Sequence, residues 1–527
     1  MKTIPERYAD RILGTLSCFD RVVITGRLVD IGHAGAMATT LTGRGFRLFD
    51  YTKFAEPLRE EIRAAAERLA VESGLEIEYI QRKNLRKEDR VREVLRQCGD
   101  HPDGRAVEDS PGPKPARAAR HAKGPQLVHI FSAMEPCPSF RPWHDKTTSR
   151  TSLKRRQAKC LHYYFYFIDA DLGLCYLRVP TWAPFRLQFY FNGHNWLARQ
   201  LTRKGLGHML LDNAFVQIDD FAAAQQIATG FDVRKLHRKL DQCARRFCPA
   251  VRHFPGGIHW SPMQVEYATD ILFRRREDLA PLYDGLVRTA IHAVKAENVA
   301  TFLGRKLDGR FVGELGNDFS TRIEGTRIRH HMGPAALKMY DKHGRLLRIE
   351  TTANNVSFFK HHRTVEHQDR TTSKKIAPVR KTIYSLGALA GLLGAANRRY
   401  LEFLSALDDP GLGTPAVEKI ARPVRENQRS FRGFNLFHGA DLDLFQALVR
   451  GQFAISGLRN RDLQQRLGAS GGQVSRLLKR LRLHGLLKKV GRTYKYYLTR
   501  WGQTVIAAAL RLREILRLPP LGASACP

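Results

Sequence analysis

Acidic residues are scarce in this chain. Its 527 residues include 51 Asp and Glu against 87 Lys and Arg, a formal charge of +36. An imbalance of this size points to a polyanionic partner, nucleic acid first and an anionic membrane surface second. The bland alternative is a proteome in which Arg is simply common. Cysteine is also scarce, at eight residues, and no C-x-x-C occurs. The closest pair, Cys243 and Cys248, has no second pair to close a zinc site. A disulfide scaffold is therefore excluded, and reduced thiols in a cytoplasmic protein are expected. Long apolar runs are missing. The longest, Leu386 to Asn397, is far short of a membrane span. The charged opening MKTIPERYADRI lacks the apolar segment of a signal peptide, so neither a signal peptide nor a membrane partner is expected. G-x-S-x-G, H-E-x-x-H, a P-loop and the kinase motifs are all absent, as is any internal repeat.

What remains is a folding-competent composition, 43% hydrophobic and 26% charged. At roughly 100–200 residues per domain, about three to four domains are expected. The fold class read from the pattern is α+β and multidomain: a mixed α/β N-terminal unit, a body of antiparallel sheet with helices, and a C-terminal winged helix-turn-helix.

Residues 1–99 are expected to form a small α/β domain. It has strands at 19–31 and 75–81 and helices at 34–42 and 56–73. Residues 100–125, with five prolines among Gly, Ala and charges, read as a linker or disordered insertion. Residues 126–430 form the α+β body. Within it, Asp145 to Lys159 with Lys154-Arg155-Arg156 reads as a solvated loop or a phosphate contact. The segment 160–191 reads as strands, with Phe185, Leu187, Phe189 and Phe191 facing inward and Arg186, Gln188 and Tyr190 facing outward. Such an outward face suits bases and phosphates, though it also describes plain solvent surface. Helices are expected at 221–230, 233–247 and 263–302, strands over 310–352, and helices at 383–407 and 412–424. The Lys-, Arg- and His-rich stretch 360–380 reads as a phosphate-facing loop or a solvated surface. Asp169-Ala170-Asp171 is a turn before it is a metal pair. Trp143-His144-Asp145 and Asn192-Gly193-His194-Asn195-Trp196 are polar-aromatic clusters without an assigned use, His194 being a ligand or merely part of a helix cap.

Residues 439–516 carry the strongest signal, and 517–527 form a tail. A short helix with Leu463 and Leu467 ends at Gly468. Ser470 with Gln473 then makes a capping box for a second helix. Val474, Leu477, Leu478 and Leu481 form its apolar stripe, and Gln473, Ser475, Arg476, Lys479, Arg480 and Arg482 occupy the opposite face. A basic hairpin around Gly491 and a last helix follow. Between Arg459 and Arg500 there are 12 Lys and Arg and one Asp, a net +11. The run VSRLLKRLRLHGLLKKVGRTYKYYLTRWG resembles the winged-helix domains of MarR-like regulators, down to the LT-x-x-G that ends the wing. The resemblance implies duplex DNA recognition. Gln473 and Arg476 would face bases, Lys479 and Arg480 phosphates, with Ser475 and Arg482 on the same helix face and Lys489, Arg492 and Lys495 in the wing. The alternatives are a non-catalytic winged-helix transcriptional regulator, a protein-contact module or a structured-RNA-binding protein.

A second motif lies at ALKMYDKHGRLLRIETT, residues 336–352. Burial should place apolar residues opposite apolar ones, which requires a three-residue loop at His343-Gly344-Arg345. Lys338, Tyr340, Lys342, Arg348 and Glu350 then share the polar side, where cations around Tyr340 would favour its phenolate. The upstream strand adds Arg327 and Arg329. KMYDK…LLRIETT resembles the Y-x-K…R-x-E signature of replication initiators of filamentous phages and rolling-circle plasmids, over about 25 residues. The resemblance implies nicking by Tyr340, charge stabilisation by Lys342 and Arg348, and Glu350 as metal ligand or base. It implies Mg or Mn as cofactor, and DNA, single- or double-stranded, as partner, with RNA as the alternative. No His-hydrophobic-His motif accompanies it: His330-His331 and His361-His362 are adjacent pairs, which a strand points to opposite faces. Glu350, Glu324, Asp169 and Asp171 are the oxygen donors considered in their place, and no metal ligand is assigned.

Overall fold

The computed structural model describes residues 2–81, 86–97, 125–305, 315–322, 325–407, 414–435, 438–449, 453, 457–491, 493–499 and most of 501–510. The expected linker (except Pro125), Glu324, Arg492 and the tail lie outside the described residues. The chain is mixed α and β and divides into two compact units. One comprises residues 16–268 and 352–391; the other comprises 1–15, 269–351 and 392–527. The division falls inside three strands and one helix.

The unit of residues 16–268 and 352–391 is built on β1 (Ile12–Leu28), β2 (Ile77–Tyr79), β3 (Gln126–Asp145), β4 (Arg150–Asp169), β5 (Gly173–Pro180) and β6 (Leu187–Asn192). Their order is β2-β3-β4-β5-β6-β1, antiparallel except for the parallel β2–β3 pair. β7 (His208–Leu211) and β8 (Ala214–Ile218) form a separate hairpin, and β9 (Ile258–Phe273) adjoins β1. The aromatic run at 162–168 is strand because alternate rings bury on opposite faces. Phe165 and Phe167 stack on Phe247 of the helix Val233–Phe247, at 4.9 and 5.1 Å between centroids. Phe131, Tyr164, Tyr166 and Tyr176 pack under Val91 and Leu95 of the helix Lys87–Gln97.

Three expectations change here. Residues 258–273 are a strand, not the start of a helix. The alternation of Val265, Tyr267, Thr269 and Ile271 with Glu266, Ala268 and Asp270 fits period two, and the helix begins only at Arg276. The polar stretch 145–159 is not a loop. Only 146–149 turn, and Arg150 onward belongs to β4. The basic stretch 360–380 is a hairpin, Lys360–Glu366 with Thr372–Pro378.

The other unit holds β10 (Leu315–Arg322), β11 (Gly325–Met332), β12 (Ala335–Lys342) and β13 (Leu346–Ala353), in that order, with the Thr269–Phe273 end of β9 next to β13. β12 and β13 are separated by three residues, His343 to Arg345, with His343 (φ 57°) and Gly344 (φ 72°) left-handed. Leu337, Met339, Leu347 and Ile349 are fully buried. On that core side His330 Nδ1 donates to Asn317 Oδ1 (2.7 Å), and its Nε2 accepts from the Tyr400 hydroxyl (2.9 Å). Thr351 donates to Asn397 Oδ1 (2.6 Å).

The C-terminal part has its own apolar core. The helices Gly439–Leu448, Asn460–Leu467 and Gly471–Leu483 bury Leu444, Phe445, Leu463, Val474, Leu478 and Leu481 together with Val505 and Ile506. Gly468 (φ 60°) terminates the second of these helices, and Ser470 caps the third. A hairpin, Leu487–Lys489 with Tyr496–Leu498, follows, and Tyr496 also bridges to Leu458.

Candidate nucleic-acid interface and carboxylate sites

The third helix of the C-terminal part places Val474, Leu478 and Leu481 inward, and period 3.6 turns Gln473, Ser475, Arg476, Lys479 and Arg482 outward, all exposed. Among the described residues Arg476 and Arg482 have no acidic partner. Gln473 is engaged locally, its Oε1 accepting the Ser470 N–H at 2.8 Å. Ser475 Oγ accepts from Asn460 at 2.8 Å. Lys479 pairs with Glu426 at 2.9 Å. Lys489 is exposed and Lys495 half-buried in the hairpin. An open groove of about 920 Å³ lies beside the helix start, lined by Arg466, Gln473, Arg476, Asp443 and Gln446.

Arg480 corrects the sequence reading. It was expected toward phosphate, but it is 6% exposed and turned inward. Its guanidinium donates to both Asp441 oxygens (2.8 and 3.1 Å) and to the carbonyls of Arg432 and Gly433 (3.0 and 2.5 Å). It also lies 3.8 Å over the Phe434 ring. Helical spacing explains the error: Arg480 follows Lys479 by 100° and lies beside Leu481, at the margin of the apolar stripe. Gly502 of the LT-x-x-G also gains a physical reason. A Cβ there would collide with the Leu486 carbonyl, and its N–H donates to Thr499 Oγ1 at 2.9 Å.

The hairpin motif forms a charge ladder on one face of its sheet. On β13, Arg348 is fully buried and makes a two-pronged contact with Asp270, Nε to Oδ1 at 2.6 Å and Nη2 to Oδ2 at 2.7 Å. Glu350, 2% exposed, takes Lys338 Nζ on Oε1 (2.6 Å) and the Tyr340 hydroxyl on Oε2 (2.8 Å). Lys338 stands opposite Arg329 on β11, and Arg327 is two residues away on the same face. Lys338, Tyr340, Lys342, Arg327 and Arg329 are all half-buried. The structure thus brings Lys338, Tyr340, Glu350, Arg327 and Arg329 together.

Two roles change. Arg348 is matched by the buried Asp270, so it is held as a structural cation rather than presented to a substrate. Tyr340 is expected beside three cations that favour its phenolate, with Glu350 on the same side; its hydroxyl instead donates to that carboxylate. The adjacent histidines do diverge: His330 enters the core, and His331 faces Asp318 at 3.4 Å. Burial, with a smaller effect from His331, pushes the His330 pKa down to about 4.

In the other unit, Asp169 and Asp171 are engaged within the chain. Asp169 Oδ1 accepts the N–H groups of Asp171 and Leu172, which makes the turn, and Lys239 bonds both carboxylates. Burial pushes the Asp171 carboxyl up, but Lys239 and Arg203 outweigh it and hold the group below its usual range. Arg186 is exposed just before β6. The tyrosines of the outward face are not open platforms, because Tyr176 stacks on Tyr190 at 5.1 Å and is buried.

Two carboxylates escaped the sequence reading. Asp20, 4% exposed on β1, accepts from Asn192 (2.8 Å), Asn213 (2.7 Å) and His194 Nδ1 (3.1 Å). Glu266 on β9 brings an oxygen within 4.8 Å of it and accepts from Thr352 at 3.3 Å. The signal available was an acid inside an otherwise apolar strand. Asn192 caps the helix Gly193–Arg203 by accepting the N–H groups of His194 and Asn195, while the His194 ring serves Asp20.

No family model matches this chain, and neither a curated protein nor a solved structure does. No helix among the described residues is long and apolar enough to cross a membrane.

Proposed function

We propose that this protein binds nucleic acid, and that its C-terminal part is a winged helix reading duplex DNA. The observation that carries this is the third helix of that part, whose exposed face holds Arg476, Lys479 and Arg482 opposite a fully buried apolar stripe. A major groove admits one such helix, and phosphate neutralisation supplies the sequence-independent affinity. The test is selection of a preferred duplex from a random pool by the full chain, followed by Arg476→Ala. That variant should weaken the selected site by about 1–3 kcal/mol relative to random duplex. An unchanged ratio removes Arg476 from base reading, and no duplex binding at low salt removes the function.

A second reading, strand nicking, is favoured by one contact: the Tyr340 hydroxyl lies 2.8 Å from Glu350 Oε2. A nucleophile hydrogen-bonded to a buried carboxylate has its base in place. In that reaction the phenol proton passes to Glu350. The Tyr340 oxygen bonds phosphorus, and the bond from phosphorus to the leaving deoxyribose oxygen breaks, that oxygen taking up a proton from water. Lys338 beside Glu350 sets the carboxylate's orientation. Glu350 offers an oxygen of the type that Mg²⁺ or Mn²⁺ takes. When bound, such an ion neutralises phosphate charge. A covalent adduct on supercoiled or single-stranded DNA with either metal, lost in Tyr340→Phe, is the expected result. No adduct under either metal leaves the binder alone.

A further inference from the structure

Away from the C-terminal part, β3 and β4 pair along their full length from Gln126 with Ile168 to Asp145 with Arg150. In the outer half Arg141 stands opposite Lys154, Ser139 opposite Arg156, and Trp143 opposite Ser152. These pairs alternate with Phe140 and Arg155, and with Pro142 and Leu153. Arg141, Trp143, Lys154 and Arg156 therefore share one face. All four are exposed, the indole at 41%. Lys154 Nζ sits 3.8 Å from the indole centroid and Arg141 Cζ 5.6 Å.

The same face continues across the sheet. Tyr164, Arg178, Gln188 and Thr25 form one cross-strand row, and even-numbered β4 residues down to Arg156 lie on its side. At the same end of the sheet, beyond the pair Gly26 and Leu187, come Arg27 and Arg186, both exposed. Arg178 is answered by Glu135 at 2.8 Å. Among the described residues, Arg27, Arg141, Lys154, Arg156 and Arg186 have no acidic partner. Local desolvation, and then repulsion from Arg178, Arg27 and Arg155, lower the Arg186 pKa. Cations gathered without counter-charge are stabilised when an anion arrives.

We propose that this face is a second nucleic-acid site, which takes an unpaired strand, with phosphates on Arg27, Arg186, Arg156 and Arg141 and a base stacked at Trp143. Same-face residues recur every ~6.8 Å along a strand, so a backbone laid along the ribbon meets cations in succession. The exposed indole decides for an unpaired strand, because a base can stack on it only after leaving the duplex. The inference rests on nucleic acid being the polyanion, but not on the C-terminal helix reading duplex.

The experiment is fluorescence anisotropy with the full chain, using labelled oligo-dT, oligo-rU and a duplex of equal length. Trp143→Ala should weaken oligo-dT or oligo-rU binding about 5- to 150-fold, and Trp143→Phe should recover most of that loss. The combined variant Arg141→Gln, Lys154→Gln, Arg156→Gln should weaken it further and flatten its salt dependence. Both variants should keep wild-type duplex affinity and thermal unfolding midpoint, whereas Arg476→Ala should do the converse. The site is overturned if both variants bind the single strands like wild type while duplex binding persists. It is also overturned if single-strand and duplex binding fall in equal proportion. Failure of the wild-type chain to bind any of the three overturns the proposed function along with it.

Discussion

Arg480 separates structure from the proposed recognition within the C-terminal helix. Asp441 is 2% exposed and answers Arg480 with both oxygens. Asp441→Ala would leave the guanidinium buried with only the Arg432 and Gly433 carbonyls and the Phe434 ring. Removing one member of such a pair costs about 3–5 kcal/mol, since the remaining charge is uncompensated in a low-dielectric site. In the full chain, amide hydrogen exchange over residues 471–483 should then accelerate by roughly two to three and a half orders of magnitude. Asp441→Leu combined with Arg480→Met should restore much of the protection, because a matched apolar pair leaves no orphan charge. Burial raises the Asp441 pKa, but Arg480 and the Asn435 N–H outweigh it and hold it below its ordinary value. A depressed carboxyl pKa stabilises the fold above the unfolded value, about 4, and that stabilisation is lost as pH falls through the folded value. The pair is therefore intact at neutral pH. If Asp441→Ala exchanged like wild type while Arg480→Ala weakened duplex binding without loosening the helix, Arg480 would face phosphate after all.

Burial holds His330 neutral, with a pKa near 4 against an ordinary 6.5. The unfolded chain takes up this proton first, so stability is full above about pH 6.5 and falls as pH drops toward 4. Between pH 7 and 5 the loss should be about 2 kcal/mol, and denaturant titration of His330→Gln should show that much less dependence on pH. Gly502→Ala should destabilise the C-terminal core by driving a methyl group into the Leu486 carbonyl, and lowered exchange protection of residues 481–487 would report it. Unchanged protection would mean the backbone relaxes there. Tyr340→Phe should cost about 1.5–3 kcal/mol, since it removes a hydrogen bond to a buried carboxylate. A neutral outcome would place that carboxylate in contact with water.

The elements that could be read ahead of the structure are those whose periodicity has one interpretation. The capping box at Ser470, the Val474-Leu478-Leu481 stripe and the three-residue hairpin loop each follow from local rules, and each occurs at its expected position. β9 was misread because Gln264 to Leu272 is apolar often enough to satisfy a helical period, and only the β-branched alternation argues for strand. The ribbon of β3 and β4 was hidden for another reason. Its outer half is exposed on one face and carries seven Lys and Arg between residues 138 and 159, so its composition is that of a loop. Cross-strand pairing with an equally polar neighbour holds it extended, and pairing between distant residues leaves little trace in either segment alone.

The site partners illustrate the same limit from the side of electrostatics. Net charge counts Arg348, Arg480 and Lys239 as available to a polyanion, yet all three turn inward to Asp270, Asp441 and Asp169. Each of those acids is distant in sequence from its cation. A cation's neighbours in sequence do not reveal whether an acid waits across the fold. Cations without an acidic partner, such as Arg476 and Arg482 on the helix and the five on the sheet face, are therefore a better guide to the proposed recognition than the total of +36. Their separation into two groups, only one of which has an exposed indole, is why duplex and single-strand binding are expected to respond to different substitutions.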